Sequence, residues 1–251
     1  MESTMMVFSL NTAGFEGTDA SQASRGVRLK HIVERVIQAC KKGIVICLQE
    51  VHVSWLDKFR QIFSQTKYVM HECLSNKRID VYLVTAHSEH LKATPQAIEI
   101  PNGSDQYALA LDIAGTIITN VHFAVNKQFR MEHTVTLIRS LKGIPGKHIV
   151  VGDMNLMGDW GGAEQLALFQ EAGFSDLTHV QHMPDPTRTA MEYFHPYPSD
   201  PVLKKENLAE IIQKSILLDA AMTFGIDQKI KTVVAFLPDH ASDHPSIELT
   251  F

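Results

Sequence analysis

Only three cysteines occur in 251 residues, at positions 40, 47 and 73, and no two of them form a C-x-x-C pair. An odd set at these spacings fits a reducing compartment better than a disulfide framework and reads as buried thiols. Long apolar runs are also missing: nothing approaches the ~18 residues that a membrane helix needs, and the stretch Met5 to Phe8 is too short for a secretory leader. The expectation is a soluble, intracellular protein with no transmembrane segment. Basic residues are not in excess, with 23 Lys+Arg against 28 Asp+Glu and a net charge of -5. That balance excludes a broad electrostatic grip on nucleic acid but leaves room for a local basic groove. Arg25, Arg28, Lys30, Lys127, Arg130 and Arg188 are the residues that would line one, and solvated helix faces explain them equally well. No G-x-x-x-x-G-K-[ST], G-x-G-x-x-G or G-x-S-x-G pattern occurs, which disfavours a nucleotide-driven motor and a serine hydrolase. No Gly/Ser linker, charge block or internal repeat divides the chain, so residues 1–251 are read as one domain, large enough to bury a substantial core.

What is present is a series of short apolar runs rich in Val, Ile and Leu. Met5 to Leu10, Ile44 to Leu48, Val81 to Thr85, Ile117 to Val121, Ile149 to Val151 and Ile216 to Leu218 read as buried strands, with further strands at Tyr107 to Ile113, Thr232 to Phe236 and Ser246 to Phe251. The Ala114-Gly115 pair predicts a hairpin, so part of the sheet is antiparallel. Helices are expected between the strands: Leu29, Val33, Val36, Ile37 and Cys40 share one helical face, Ser24 is placed to cap that helix and Gly43 to end it. Ser54 to Phe63, Arg130 to Leu141 and Ala163 to Ala172 have the same character. This alternation, together with the hairpin, predicts helices packed outside two stacked sheets. Between His182 and Asn207 five of the ten prolines crowd beside Tyr193, Phe194 and Tyr197, which marks a long loop.

The chemically informative feature is how the apolar runs end. Asn11 follows Val7 to Leu10, Gln49-Glu50 follows Ile44 to Leu48, Asn120-Val121-His122 closes the run from Thr116, and Gly152-Asp153-Met154-Asn155 follows Ile149 to Val151. Asp219 follows Ile216 to Leu218. Strand ends in layered α/β proteins open onto the crevice where ligands bind, so these groups are expected to converge. Residues two apart on a strand face one way, which pairs Asn120 with His122 and Asp153 with Asn155 as grips for one phosphate. Gly152 would permit a tight turn or a close backbone approach. Ser242-Asp243-His244 precedes the last strand. Each residue has a bland alternative: Asn11 closing a turn, Glu50 capping the helix near Ser54, Asp219 accepting backbone hydrogen bonds in the core. His240 and His244 also form an H-x-x-x-H spacing, but no third local zinc ligand follows. The remaining histidines, His31, His52, His71, His87, His90, His133, His148 and His195, match no motif and are assigned to surface or core packing.

Taken together, Ser-Leu-Asn11, Leu-Gln-Glu50, Asn-Val-His122, Gly-Asp153-Met-Asn155, Leu-Asp219 and Ser-Asp243-His244 resemble, in this order, the endonuclease/exonuclease/phosphatase superfamily. The resemblance implies a four-layer α/β/β/α sandwich and a Mg2+-dependent (or Mn2+-dependent) phosphodiester hydrolase that attacks in line with activated water. It implies Glu50 as the principal metal carboxylate, with Asn11 beside the ion or the phosphate and Asp243 assisting the metal side. Asp153 and Asn155 would orient the attacking water, with Asp153 able to take its proton. His122 and Asn120 would hold phosphate oxygens, His244 would neutralise the phosphate, and Asp219 would orient that imidazole. Ser24-Arg25-Gly26-Val27, Leu48-Gln49-Glu50-Val51 and Gly-Asp153-Met-Asn155-Leu156 are further similar to the 5′-tyrosyl-DNA phosphodiesterase branch. The chain departs from that branch at Leu217-Leu218-Asp219-Ala220-Ala221 and at Pro186-Thr187-Arg188-Thr189. Nucleic acid is the favoured substrate, as for a nuclease or DNA-end-processing enzyme. A lipid or inositol phosphate esterase and a non-catalytic phospho-ligand binder are the alternatives.

Overall fold

The computed structural model describes residues 5–12, 22–76, 80–100, 106–124, 126–156, 162–177, 219–226, 230–235 and 246–251. The element order is β1 (Met6–Asn11), α1 (Gln22–Lys41), β2 (Val45–His52), α2 (Val53–Gln65), β3 (Tyr68–Asn76), β4 (Val81–Ser88), β5 (Ala93–Ile100), β6 (Gln106–Ile113), β7 (Thr116–His122), α3 (Lys127–Lys142), β8 (Lys147–Asp153), α4 (Gly162–Glu171), β9 (Ser175–Asp176), β10 (Asp219–Phe224), β11 (Lys231–Ala235) and β12 (Ser246–Thr250). Two six-stranded sheets form, in the orders β11-β12-β1-β2-β4-β3 and β5-β6-β7-β8-β10-β9. Each is mixed: β1 runs parallel to β2 and β7 parallel to β8, and the other neighbours are antiparallel.

Strand alternation distributes the apolar side chains into three layers. Phe8, Leu10, Ile46, Leu48 and Val84 face α1 and α2, whose Ile32, Val36, Phe59 and Phe63 cover them. Val121, Val150, Ala220 and Met222 pack with Leu137 and Leu141 of α3 and Phe169 of α4. Between the sheets lie Val7, Val45, Cys47, Leu111, Ile118, Ile149, Val151, Ala221, Ile247 and Leu249. The aromatic rings fill the helix-sheet layers, while buried aliphatics and Cys47 fill the sheet-sheet layer, where two flat surfaces must interdigitate. The chain is therefore the expected four-layer sandwich. The helix assigned from Leu29, Val33, Val36, Ile37 and Cys40 is α1, and it begins two residues before Ser24, which lies inside it. β3 and β5 were not legible as strands: β3 is an edge strand of mixed polarity, and β5 carries Pro95, a residue tolerated on the edge where β5 sits.

The hairpin at Ala114-Gly115 joins β6 to β7, with φ of 53° and 81° as a tight turn requires. Cys40 and Cys47 are buried, whereas Cys73 is partly exposed; all three thiols are free. Burial pushes the Cys47 thiol up to about 12, so it stays protonated and unreactive. Among the described residues no helix is long and apolar enough to cross a membrane. Residues 182–207 and 216–218 lie outside the described residues.

Candidate active site

The sheet-sheet layer changes character along its length. Its inward positions read Val7, Ser9, Asn11 on β1; Val45, Cys47, Gln49 on β2; Ile118, Asn120, His122 on β7; and Ile149, Val151, Asp153 on β8. In every case the apolar end gives way to polar groups toward the C-terminal rim. The parallel pairs put Asn11 opposite Gln49 and His122 opposite Asp153, so two polar pairs from two sheets meet at the same edge. Asp219 starts β10 rather than ending a strand. Because β10 is antiparallel to β8, this start lies at the same rim, with Asp219 in register with Asp153.

At the opening, Glu50, His122 and Asp153 bring one ligand atom each within 4.8 Å of one another. His122 Nε2 is 3.3 Å from Glu50 Oε1 and 3.7 Å from Asp153 Oδ2. The Asn11 amide nitrogen donates to both carboxylates, at 3.2 Å to Glu50 Oε1 and 2.9 Å to Asp153 Oδ2. Asp153 is buried and its Oδ1 accepts from the backbone N–H of Asn155 at 2.9 Å. Asn155 in turn donates its side-chain amide to the Phe123 carbonyl at 2.8 Å and adopts a left-handed φ of 51°, a conformation asparagine tolerates. Asn155 thus braces the loop after β8.

Glu50 reaches the rim through a backbone irregularity. The β2–β4 register shifts between Leu48 and Val51, and Glu50 has a φ of 51°. This bulge turns two consecutive residues to useful directions: Gln49 inward and Glu50 to the opening. Thr12 holds it, its hydroxyl donating to the carbonyls of Gln49 and Glu50 at 3.0 and 2.9 Å. Helix capping near Ser54 falls to His52, whose Nδ1 accepts from the Ser54 N–H, so Glu50 is not the cap.

Asn120 and His122 do share a face, but only His122 reaches the opening. Asn120 is fully buried; its amide donates to the carbonyls of Leu48 and Val84 at 3.1 and 3.0 Å, and its Oδ1 accepts from Gln49 at 2.6 Å. Both amide hydrogens are committed, which corrects the expectation that Asn120 grips phosphate: it stitches one sheet to the other beneath the site. Gly152 is likewise corrected. Its φ is 137°, and a Cβ there would stand 2.1 Å from the Val121 carbonyl oxygen, so its close approach is to β7 and not to a ligand. Arg130 is no groove residue, being fully buried on α3 where Asp153 is among the charges it feels. Lys127 is engaged by Glu164 at 2.8 Å. Asp243, His244, His240 and Arg188 lie outside the described residues.

Two residues near the site carried no sequence signal. Ser75 Oγ lies 3.3 Å from His122 Nδ1, where it fixes the ring. His133, fully buried against Phe123, is held neutral: burial pushes its pKa down to about 4, opposed by Glu132 and reinforced by His122. A serine on an edge strand and a histidine on a helix face look ordinary until the strands are paired.

The chain matches the model of the Endonuclease/Exonuclease/phosphatase family over residues 8–244 and belongs to that family. It is a phosphoester hydrolase, and Glu50, His122 and Asp153 are a group that could hold a metal ion. No curated protein matches it significantly by sequence. Among solved structures it is similar to D. rerio TDP2 complexed with single-strand DNA product, at 15% identity and a TM-score of 0.69, with 99% of each chain covered. It is also similar to truncated Caenorhabditis elegans TDP2, at 17% identity and a TM-score of 0.67, covering 99% of this chain and 97% of that one. A third, ANGEL2, a 2′,3′-cyclic phosphatase in complex with adenosine-2′,3′-vanadate, is 11% identical with a TM-score of 0.64, covering 99% and 95%.

Proposed function

We propose that the chain is a Mg2+-dependent phosphodiester hydrolase of nucleic acid, a nuclease or an enzyme that processes DNA ends, with residues 1–251 acting as one catalytic domain. The observation that carries this reading is the convergence of Glu50, His122 and Asp153 within 4.8 Å at one rim, bridged by Asn11. Two carboxylates this close repel each other unless a cation is shared between them. A set dominated by oxygen donors and free of thiolate suits Mg2+ or Mn2+. Glu50 and Asp153 would hold the ion, with Asn11 and His122 beside it. When bound, it supplies charge neutralisation for the phosphoryl oxygens and the departing oxygen.

The remaining work belongs to the side chains. Asp153, clamped through Oδ1 by Asn155 and through Oδ2 by Asn11, would orient the attacking water and accept its proton. His122, steadied by Ser75, would present its Nε2 to a non-bridging phosphate oxygen. His244, matched by its place in the motif order, would neutralise the phosphate from another side. Asp219, in register with Asp153, is the carboxylate that would orient it. The nucleic-acid preference draws support from the D. rerio TDP2 relative, whose structure contains a single-strand DNA product.

Purified protein should hydrolyse an activated aryl phosphodiester and a single-stranded oligonucleotide with Mg2+, and stop on addition of chelator. Raising the salt concentration should weaken cleavage of the oligonucleotide far more than that of the small diester. Turnover untouched by chelator would contradict the metal-dependent reading. Turnover of inositol or lipid phosphates with no cleavage of nucleic acid would overturn the substrate assignment.

A further inference from the structure

At the rim opposite the active site, two histidines meet in a way the phosphoesterase chemistry does not use. β4 is antiparallel to β2 with Ala86 opposite Ile46, so His87 lies about 15 Å from the catalytic edge at ~3.3 Å per residue. There His71 of β3 and His87 of β4 point their Nε2 atoms at each other across 3.1 Å. The rings are within 13° of parallel with centres 5.3 Å apart, so they meet tip to tip rather than face to face. Both line a cleft of about 490 Å³, together with Lys92, Thr94 and Asp112 and the Ala114-Gly115 hairpin.

The hydrogen bonding settles where the protons sit. His87 Nδ1 lies 2.9 Å from the Ser88 carbonyl, which can only accept, so a neutral His87 carries its proton on Nδ1 and leaves Nε2 as a bare lone pair. His71 must then donate its Nε2–H into that lone pair. Burial and the neighbouring His87 both press the His71 pKa down, which keeps the ring neutral near pH 7. An imidazole whose far nitrogen is anchored to a carbonyl is the arrangement that orients a metal-binding histidine.

We propose that His71 and His87 form a second metal site, for a borderline first-row transition ion such as Zn2+ or Cu2+, separate from the oxygen-rich catalytic cluster. The spacing fits: with metal–nitrogen bonds of about 2.0–2.1 Å, two ligand nitrogens stand about 2.9 Å apart at a right angle and about 3.4 Å apart in a tetrahedron. The observed 3.1 Å lies between these. On binding, His71 moves its proton from Nε2 to Nδ1 through solvent, both Nε2 lone pairs turn to the ion, and no net proton is released. Water from the cleft completes the shell. Asp112 and Lys92 on the cleft wall offset each other in charge. Two imidazole nitrogens as the direct ligands disfavour Mg2+, so the two rims sort ions by donor type.

The test uses Cu2+ and Zn2+ on the full chain in excess Mg2+. Electron paramagnetic resonance of one equivalent of Cu2+ should show two nitrogen donors. His71→Ala, at a half-exposed position, should lose that pattern and weaken Cu2+ binding at least ~10-fold, while the Glu50→Gln/Asp153→Asn double variant should keep both. Equal Cu2+ stoichiometry and affinity in wild type and His71→Ala would overturn the proposal, as would loss of the signal in the double variant. Histidine nitrogen NMR of the wild-type protein checks it without mutation: Zn2+ should shift the Nε2 resonances of His71 and His87. Unmoved resonances would mean that the pair is a hydrogen bond alone.

Discussion

The two halves of the sandwich are the same construction executed twice. Strand for strand, β11-β12-β1-β2-β4-β3 corresponds to β5-β6-β7-β8-β10-β9, including the single parallel pair in each. A helix links β1 to β2 and another links β7 to β8, and α2 and α4 follow in the same places. In the first half the outer strands β11 and β12 come from the chain's far end. In register, Asn11 corresponds to His122, Gln49 to Asp153, and Leu48 to Gly152. Equivalent positions therefore carry different chemistry. The second half presents its carboxylate directly in register. The first spends that position on Gln49, which bonds Ser9 within its own sheet and Asn120 across to the other, and must bulge to bring Glu50 to the rim. One frame thus supplies two unlike half-sites that are complete only when they face each other.

The largest expected effect follows from that complementarity. Glu50→Gln in one half and Asp153→Asn in the other should each lower kcat/KM by ~10^2 or more, because each removes a charge that the partner half cannot replace. Steady-state kinetics on an aryl phosphodiester reads this, and near wild-type rates in either variant would mean that one half-site suffices alone.

Next come the paired positions Gly152 and Leu48, which should fail for opposite reasons. Gly152→Ala drives a methyl into the Val121 carbonyl and strains a left-handed φ, costing about 3 kcal/mol or more. Leu48→Ala leaves a cavity under α1 and α2, costing about 2–5 kcal/mol. Denaturant melts measure both. A smaller contrast separates Asn120→Ala from Ser9→Ala. The first strands the Leu48 and Val84 carbonyls and the Gln49 amide and should cost about 2–3 kcal/mol; the second removes one hydroxyl and should cost about 1 kcal/mol.

The halves should also differ in acid. α1 faces its sheet with Ile32, Val36, Ala39 and Cys40, whereas α3 buries His133. The native His133 pKa is depressed from 6.5 to about 4, chiefly by burial, so the unfolded chain takes up a proton that the native one refuses. Its contribution is fully present above the unfolded value and is lost as pH falls from about 6.5 to about 4, on the order of 3 kcal/mol in all. His133→Gln should flatten that slope in pH-dependent melts, and an unchanged slope would assign it elsewhere.

The frame was legible because apolar runs, helical faces and the Ala114-Gly115 turn are local signals, and the strand-end rule located Asn11, Glu50, His122 and Asp153. The repeat was not legible, since the matched positions carry Asn and His, Gln and Asp, Leu and Gly. Equivalence lies in hydrogen-bond register, which only the paired strands reveal. Asn120 misled for a related reason: alternation gives the face of a side chain but not its depth, and two residues short of the rim it meets the opposite sheet. Ser75 and Thr12 act through partners 47 and 37–38 residues away in sequence, beyond any local pattern.

Titration of Mn2+ into the protein, followed by loss of the free-ion paramagnetic signal, reads most directly whether two half-sites make one cation site. The wild-type chain should take up Mn2+, and Glu50→Gln and Asp153→Asn should each weaken that uptake at least ~10-fold while the protein remains folded. Undiminished binding in either variant would mean that the two sheets do not share an ion.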